Sequence, residues 1–456
     1  MWRHWQSPWL SCCGWCCSLA AAATTIEAMG SARLTAARGL MEVFGSGGYS
    51  NIVLDHKLEQ EDLSPQDRSF CAALFYGVIE QALALDYAIG KYSSIAVKKL
   101  SPGVLAALRC GFYQLLHMPS VPPSAAVNET VTITRQLGER RAAGFVNGVL
   151  RSFLRAGMAV PEPKDKLTAL SVAYSIPAPL IQYWRKSYGQ EMTLRILEGS
   201  RGPAPVFARV NTCRTTAAEL TELLAGQGVQ AEEAGVKDAL RLTAPGSITR
   251  LPAFQEGLFH IQDLSSQLCA AAADPQPGMR VLDVCAAPGG KSFTMAQLME
   301  NQGELVCCDL HPHRVKLIEE GAARLGLNIL RPMVQDATQY NPERGSFDRV
   351  LCDVVCSGYG ILRRKPEIRY KPLETLDGIW LVQYNILETS AKYCKEGGRL
   401  VYSTCTLNPQ ENQQVVQRFL DVHGEFRLVE PMTTLVKGEL DCDGFFYAVL
   451  ERKTTK

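Results

Sequence analysis

At 456 residues the chain is too long for a single hydrophobic core and has the length of roughly three domains. Hydrophobic residues make up 46%, charged residues 20%, and the formal net charge is +1, which excludes wholesale disorder and a globally basic surface. Of the sixteen cysteines, four (Cys12, Cys13, Cys16 and Cys17) crowd the extreme N-terminus, and the rest lack the spacing of a disulfide framework or a zinc site, as expected of a reducing, cytoplasmic setting.

Residues 1–30 outline a short apolar leader, but no disulfide-rich domain follows and Met29 opens an ordinary amphipathic pattern. They are expected to be a disordered or spurious upstream extension. No stretch approaches eighteen consecutive apolar residues, so no membrane span is expected. From residue 31 to 157 apolar residues recur at three- and four-residue spacing, predicting an all-α bundle; Pro65, Pro102 and the Pro122-Pro123 pair sit where helices should start. The polar, proline-rich stretch 158–166 reads as a linker. Residues 167–257 mix helical and short strand-like pieces, a small α+β module. From 258 to 456 strand, loop and helix repeat, predicting an α/β domain with a parallel sheet covered on both faces. Basic clusters that could meet nucleic acid are local: Arg135, Arg140, Arg141, Arg151 and Arg155 in the bundle, and Arg363, Arg364 and Lys365 in the last domain. Each could equally be a solvated surface.

The stretch DVCAAPGGK, 283–291, follows a strand and precedes a helix, the position of the ligand crevice in an open parallel sheet. The next strand ends in Asp309, where a carboxylate can hold ribose hydroxyls, so the pair indicates a nucleoside cofactor. The loop is not G-x-G-x-x-G, and Cys285 stands where a phosphate loop needs glycine. An adenosine group without a pyrophosphate, S-adenosylmethionine, fits best.

Two further strands deliver Asp353 with Cys356, and Cys405, to the same sheet edge. Methyl transfer to carbon 5 of a pyrimidine would use such a set. A thiolate adds at carbon 6, a carboxylic acid steadies charge near N3, and a second thiol or base removes the carbon-5 proton. Spacing alone does not say which thiol attacks. After Cys405, Asn408, Pro409 and Glu411 match an N-cap, a first helical position and a capping-box partner, predicting a helix that starts at once.

The motifs QDLSSQL (262–268), VLDVCAAPGGK (281–291), DVVCSGYGILRRKPEIRY (353–370) and YSTCT (402–406) resemble those of the RNA cytosine-5 methyltransferases, on the branch that modifies bacterial small-subunit (16S) ribosomal RNA. The resemblance spans residues 31 to 456. It implies an N-terminal bundle like the antitermination factor NusB that binds RNA, a small α+β linking module and a Rossmann-like, S-adenosylmethionine-dependent methyltransferase domain. It further implies ribosomal RNA as partner; a monomer with neither membrane nor metal is expected. In that family the loop matching Cys285, Ala286, Ala287, Pro288, Gly289, Gly290 and Lys291 contacts the cofactor, as do acids matching Asp309, Asp336 and Asp353. The nucleophile matches Cys405 and the cysteine that releases the enzyme matches Cys356. The family loop reads D-x-P-C-S-G, whereas here Val355 replaces the proline, which is expected to loosen the turn that aims Asp353 and Cys356. The target base must be flipped out or single-stranded. Arg363, Arg364, Lys365 and Arg369 are candidates for phosphate contacts beside the site, with Arg209, Val210 and Asn211 adding RNA surface further off. Methylation of transfer RNA, or a weakly catalytic RNA-binding assembly factor, are the alternatives.

Overall fold

The computed structural model describes residues 22–243, 246–373 and 378–454. Residues 1–21 of the expected extension lie outside the described residues, and its remainder, 22–30, is helical. The described residues divide into two compact units, one from residues 22–186 with 364–371 and the other from 187–363 with 372–454.

The first unit is a helical bundle: Ala22–Ser46, Ser50–Glu59, Pro65–Glu80, Ala82–Tyr92, Pro102–His117, Pro123–Gln136, Ala143–Arg155 and Lys166–Tyr174. The prolines start helices as anticipated. Ser64 and Ser101 accept from the N–H groups of Asp67 and Val104, and Pro65 and Pro102 fill the first helical position, where no N–H is needed. Phe75, Phe112 and Phe153 are wholly buried in its core, with the last two stacked at 4.4 Å between centroids. The five bundle arginines, Arg135, Arg140, Arg141, Arg151 and Arg155, are all exposed.

The segment Arg364–Lys371 belongs to this unit although the sequence places it in the last domain. Glu367 accepts from the Ser50 hydroxyl at 2.7 Å, and the Tyr370 hydroxyl donates to the Ile79 carbonyl at 2.7 Å. Arg369 is 1% exposed and donates to the carbonyls of Glu80 and Tyr174. Its expected phosphate contact is therefore corrected: its charge is spent on capping carbonyls inside the fold.

The second unit opens with a small antiparallel sheet of β1 (Val206–Val210), β2 (Gln230–Glu233), β3 (Ala239–Thr243) and β4 (Phe259–Ile261), in the order β2-β3-β1-β4. The strand β4 lies past residue 257, so the small sheet reaches beyond the edge read from composition. Arg209 and Asn211 are interior rather than RNA-facing. Arg209 donates to the Lys237 carbonyl at 2.7 Å, and Asn211, with no exposed surface, donates to the carbonyls of Gly257 and Leu325. Val210 is fully buried as well.

The main sheet contains β5 (Arg280–Asp283), β6 (Glu304–Asp309), β7 (Leu330–Val334), β8 (Phe347–Asp353), β9 (Cys394–Thr404), β10 (Phe426–Leu428), β11 (Thr433–Leu435) and β12 (Phe445–Arg452). Its order is β10-β12-β9-β8-β5-β6-β7, with β11 beside β12; β5 to β9 run parallel, and β12 pairs antiparallel with β9. Successive strand residues enter opposite cores, Val281, Leu305 and Cys307 on one face and Leu282, Val306 and Cys308 on the other. A sheet covered on both faces needs these apolar runs. The chain order reverses at β5, so the carboxyl ends of β5, β6, β8 and β9 open onto one crevice. Among the described residues no single helix is long and apolar enough to cross a membrane.

Candidate active site

The loop after β5 is shaped for close approach by a ligand. Gly289 has φ +111, and a Cβ there would lie 2.3 Å from the Phe293 ring, so only glycine fits. The Ala286 N–H donates to the Cys308 carbonyl at 2.8 Å, tying the loop to β6, and the helix Gly290–Leu298 starts where the loop ends. Beneath it Asp283, 1% exposed, accepts from the Ser292 hydroxyl at 2.6 Å through one oxygen. Burial, opposed by that hydrogen bond, pushes the Asp283 carboxyl up to about 7.

Asp309 ends β6, its side chain 2% exposed, paired with Arg314 at 3.1 Å and accepting from the His311 N–H. Arg314 also donates to the Ala287 carbonyl at 2.7 Å, so one guanidinium locks the acid to the glycine loop. Each carboxylate oxygen keeps a further lone pair that a ribose hydroxyl can meet. Asp336 follows β7 on an exposed turn and accepts from the Thr338 N–H and hydroxyl. A tight glycine turn, a helix N-terminus and acids at successive strand ends fit an adenosine-bearing cofactor.

On the other side of β5, Asp353 ends β8. Its Oδ2 accepts from Lys291 Nζ at 2.7 Å and its Oδ1 from the Ser403 hydroxyl at 2.8 Å. Lys291 is the last residue of the glycine loop motif, so the cofactor loop and the carboxylate are one charged assembly. Its ammonium lies 5.1 Å from the centre of the Phe445 ring. Burial disfavours the ammonium, but Asp353 and the nearby Cys269 and Cys405 thiols outweigh it and raise its pKa. The sequence grouped Lys291 with the cofactor loop and missed this pairing.

Cys356 and Cys405 meet at the same edge, with Sγ atoms 3.3 Å apart and both residues part-exposed. A hydrogen bond to Cys405, burial, and the charges of Cys405 and Glu411 push the Cys356 thiol well above the usual range. The two sulfurs are within hydrogen-bond reach, and either can be the donor.

Two expectations about this edge change. The helix after Cys405 starts at Gln413, not Pro409, and its N-cap Asn412 makes no side-chain cap. The Asn408–Glu411 turn instead folds Glu411 inward, where it is fully buried. Arg363 is not offered to phosphate either. Its side chain is 3% exposed, bound to Asp441 at 2.7 Å and close to Asp443 at 3.8 Å.

Three family patterns match consecutive parts of the chain. The NusB family matches residues 30–155, the Methyltr_RsmF/B-like ferredoxin-like domain 176–249, and the 16S rRNA methyltransferase RsmB/F family 270–451. The probable ribosomal RNA small subunit methyltransferase B of Bacillus subtilis (strain 168) is 36% identical over 444 residues, covering 93% of this chain and 99% of the relative. The protein of the same description from Synechocystis sp. is 34% identical over 443 residues, covering 92% and 99%. Among solved structures, that of the protein PH0851 superposes with a TM-score of 0.76 at 27% identity, covering 93% of this chain and 99% of that one.

Proposed function

The chain belongs to the 16S rRNA methyltransferase RsmB/F family, and from that premise we propose how Cys356 and Cys405 divide the work of methylating carbon 5 of a cytosine in small-subunit ribosomal RNA. The observation that carries the reading is the 3.3 Å approach of the two sulfurs beside the Lys291–Asp353 pair. S-adenosylmethionine, when bound by the Cys285–Lys291 loop with Asp309, Asp336 and Asp353, supplies a methyl group on a positively charged sulfur.

The Cys405 thiolate adds its electron pair to carbon 6 of a cytosine protonated at N3, forming an S–C6 bond while the displaced ring electrons neutralise N3 and leave carbon 5 an enamine carbon that would take the methyl group; N3 gives its proton back to solvent on release. Asp353, oriented by Lys291 and Ser403, faces the Watson–Crick edge. A carboxylate held in an ion pair accepts from the N4 amino group, a donor that cytosine has and uracil lacks, and from the N3–H of a ring protonated at N3, whose positive charge it steadies. The raised pKa of Cys356 keeps it a thiol while Cys405 is free. Alkylation of Cys405 removes the leading cause of that elevation. Cys356 then loses its proton to solvent at the step that needs a base. It takes the carbon-5 proton, the C–H pair restores the C5–C6 double bond, and the Cys405 thiolate departs.

The exposed bundle arginines supply phosphate contacts. The reading takes the protein to act as a cytoplasmic monomer without metal or membrane. Cys356→Ala incubated with small-subunit RNA and cofactor is expected to accumulate a denaturation-resistant protein–RNA adduct, and Cys405→Ala to form none. An adduct from Cys405→Ala overturns the assignment.

A further inference from the structure

Glu411 is a carboxylate with no exposed surface, placed between the two cysteine loops, and it accepts from three neutral donors. A buried charge is costly unless its hydrogen bonds are made, and each one here leads to the catalytic edge. Its Oε2 accepts from the Ser357 N–H at 2.9 Å, immediately after Cys356, and from Gln383 Nε2 at 2.9 Å. Its Oε1 accepts from Asn408 Nδ2 at 2.7 Å, in the turn that follows Cys405. Gln383, itself fully buried on the helix Ile379–Ala391, donates also to the Val355 carbonyl at 2.9 Å, immediately before Cys356. The residues on both sides of Cys356 are thus held by one acid and one amide. A second lacing, Ser357 Oγ to Thr406 Oγ1 at 2.6 Å, joins the two loops one residue beyond each cysteine.

We infer that Glu411, acting through Gln383 and the Ser357 amide, is the positioning residue that sets Cys356 against Cys405 for the release step. The inference rests on the division of labour proposed above and adds what aims the releasing thiol. It also answers the absence of proline at Val355. The turn that a proline ring would stiffen is instead pinned at its carbonyl by Gln383, while the Val355 side chain stays 59% exposed. The Glu411 charge acts in the same sense, contributing to the protonated resting state of Cys356.

Gln383→Leu removes both donors while keeping a buried side chain of similar size. Glu411→Gln keeps the shape but turns one acceptor into a donor that must face another donor. With small-subunit RNA and cofactor under single-turnover conditions, both variants are expected to form the covalent adduct within about twofold of the wild-type rate and to release it on the order of tenfold more slowly, the effect of one lost charge-assisted hydrogen bond. The KM for cofactor should stay within about twofold, because neither residue touches the cofactor loop. Adding Val355→Pro to Gln383→Leu should restore part of the release rate. Folded variants in which formation and release fall together, or in which neither changes, overturn the inference. Cys356→Ala is run beside them. If it accumulates adduct and these variants do not, the positioning role alone fails; if it accumulates none, the division of labour fails with it.

Discussion

Replacing Lys291 by methionine removes the cation bonded to Asp353 while keeping an unbranched apolar stem in the same space. The pair lies at 2.7 Å, and the two side chains are 13% and 26% exposed, so solvent screens it only partly. At an effective dielectric of about 20 the gross attraction at this separation is about 6 kcal/mol. Desolvation of both groups offsets part of that, and removing one partner of a buried pair costs about 3 to 5 kcal/mol. Some of the loss falls on folding. If half falls on the transition state for attack, the rate of adduct formation drops roughly tenfold to seventyfold. The ammonium is also coupled to Cys405, and a nearby cation favours the ionised, nucleophilic form of a thiol. The acid limb of the pH profile for adduct formation should therefore move to higher pH in Lys291→Met. The assay is single-turnover adduct formation with cofactor and small-subunit RNA from pH 6 to 9, with circular dichroism to confirm folding. A folded Lys291→Met that forms adduct at the wild-type rate with an unshifted profile refutes the role given to the pair.

Asp283 couples stability to pH. Its folded pKa of about 7 exceeds the unfolded 3.8, so the folded state favours the protonated acid, and its contribution is full below about pH 4 and lost as pH rises through 7. The total is on the order of 4 kcal/mol. Asp283→Asn should gain thermal stability over the wild type progressively from about pH 4 to pH 7 and level off above it, and a gain independent of pH would contradict the burial argument. Arg363→Met should destabilise the fold by about 2 kcal/mol, since Asp441 loses its shortest ion pair, with Arg241 and Lys437 remaining at 3.7 Å, and Asp443 loses the nearby guanidinium. The salt dependence of RNA affinity should keep its slope, and a slope reduced by about one with unchanged melting would return Arg363 to the RNA surface.

Much of the site was legible because its chemistry sits where strands end. The change from helical to strand–loop–helix rhythm located the sheet, and the carboxyl ends of β5, β6, β8 and β9 then had to hold the Gly289 turn, Asp309, Asp353 and Cys405. What stayed hidden was partnership across distance. Lys291 and Asp353 are 62 residues apart and Arg363 and Asp441 are 78 apart, and a charge in a sequence does not announce its counter-ion. Glu411 was hidden differently. The string N-P-x-E satisfies a capping box by spacing, yet the chain makes a turn first and uses the acid inward, because Ser357, Gln383 and Asn408 offer it more donors than a helix start could. Likewise, nothing local distinguishes Arg369 in the bundle interior from Arg155 on its surface.

The most direct measurement is of the covalent protein–RNA adduct formed with cofactor and small-subunit RNA by the wild type, Cys356→Ala, Cys405→Ala and the double variant, resolved after denaturation and mapped by mass spectrometry. The account predicts a stable adduct only in Cys356→Ala, attached at Cys405. An adduct attached at Cys356, or one in the Cys405→Ala lane, contradicts it.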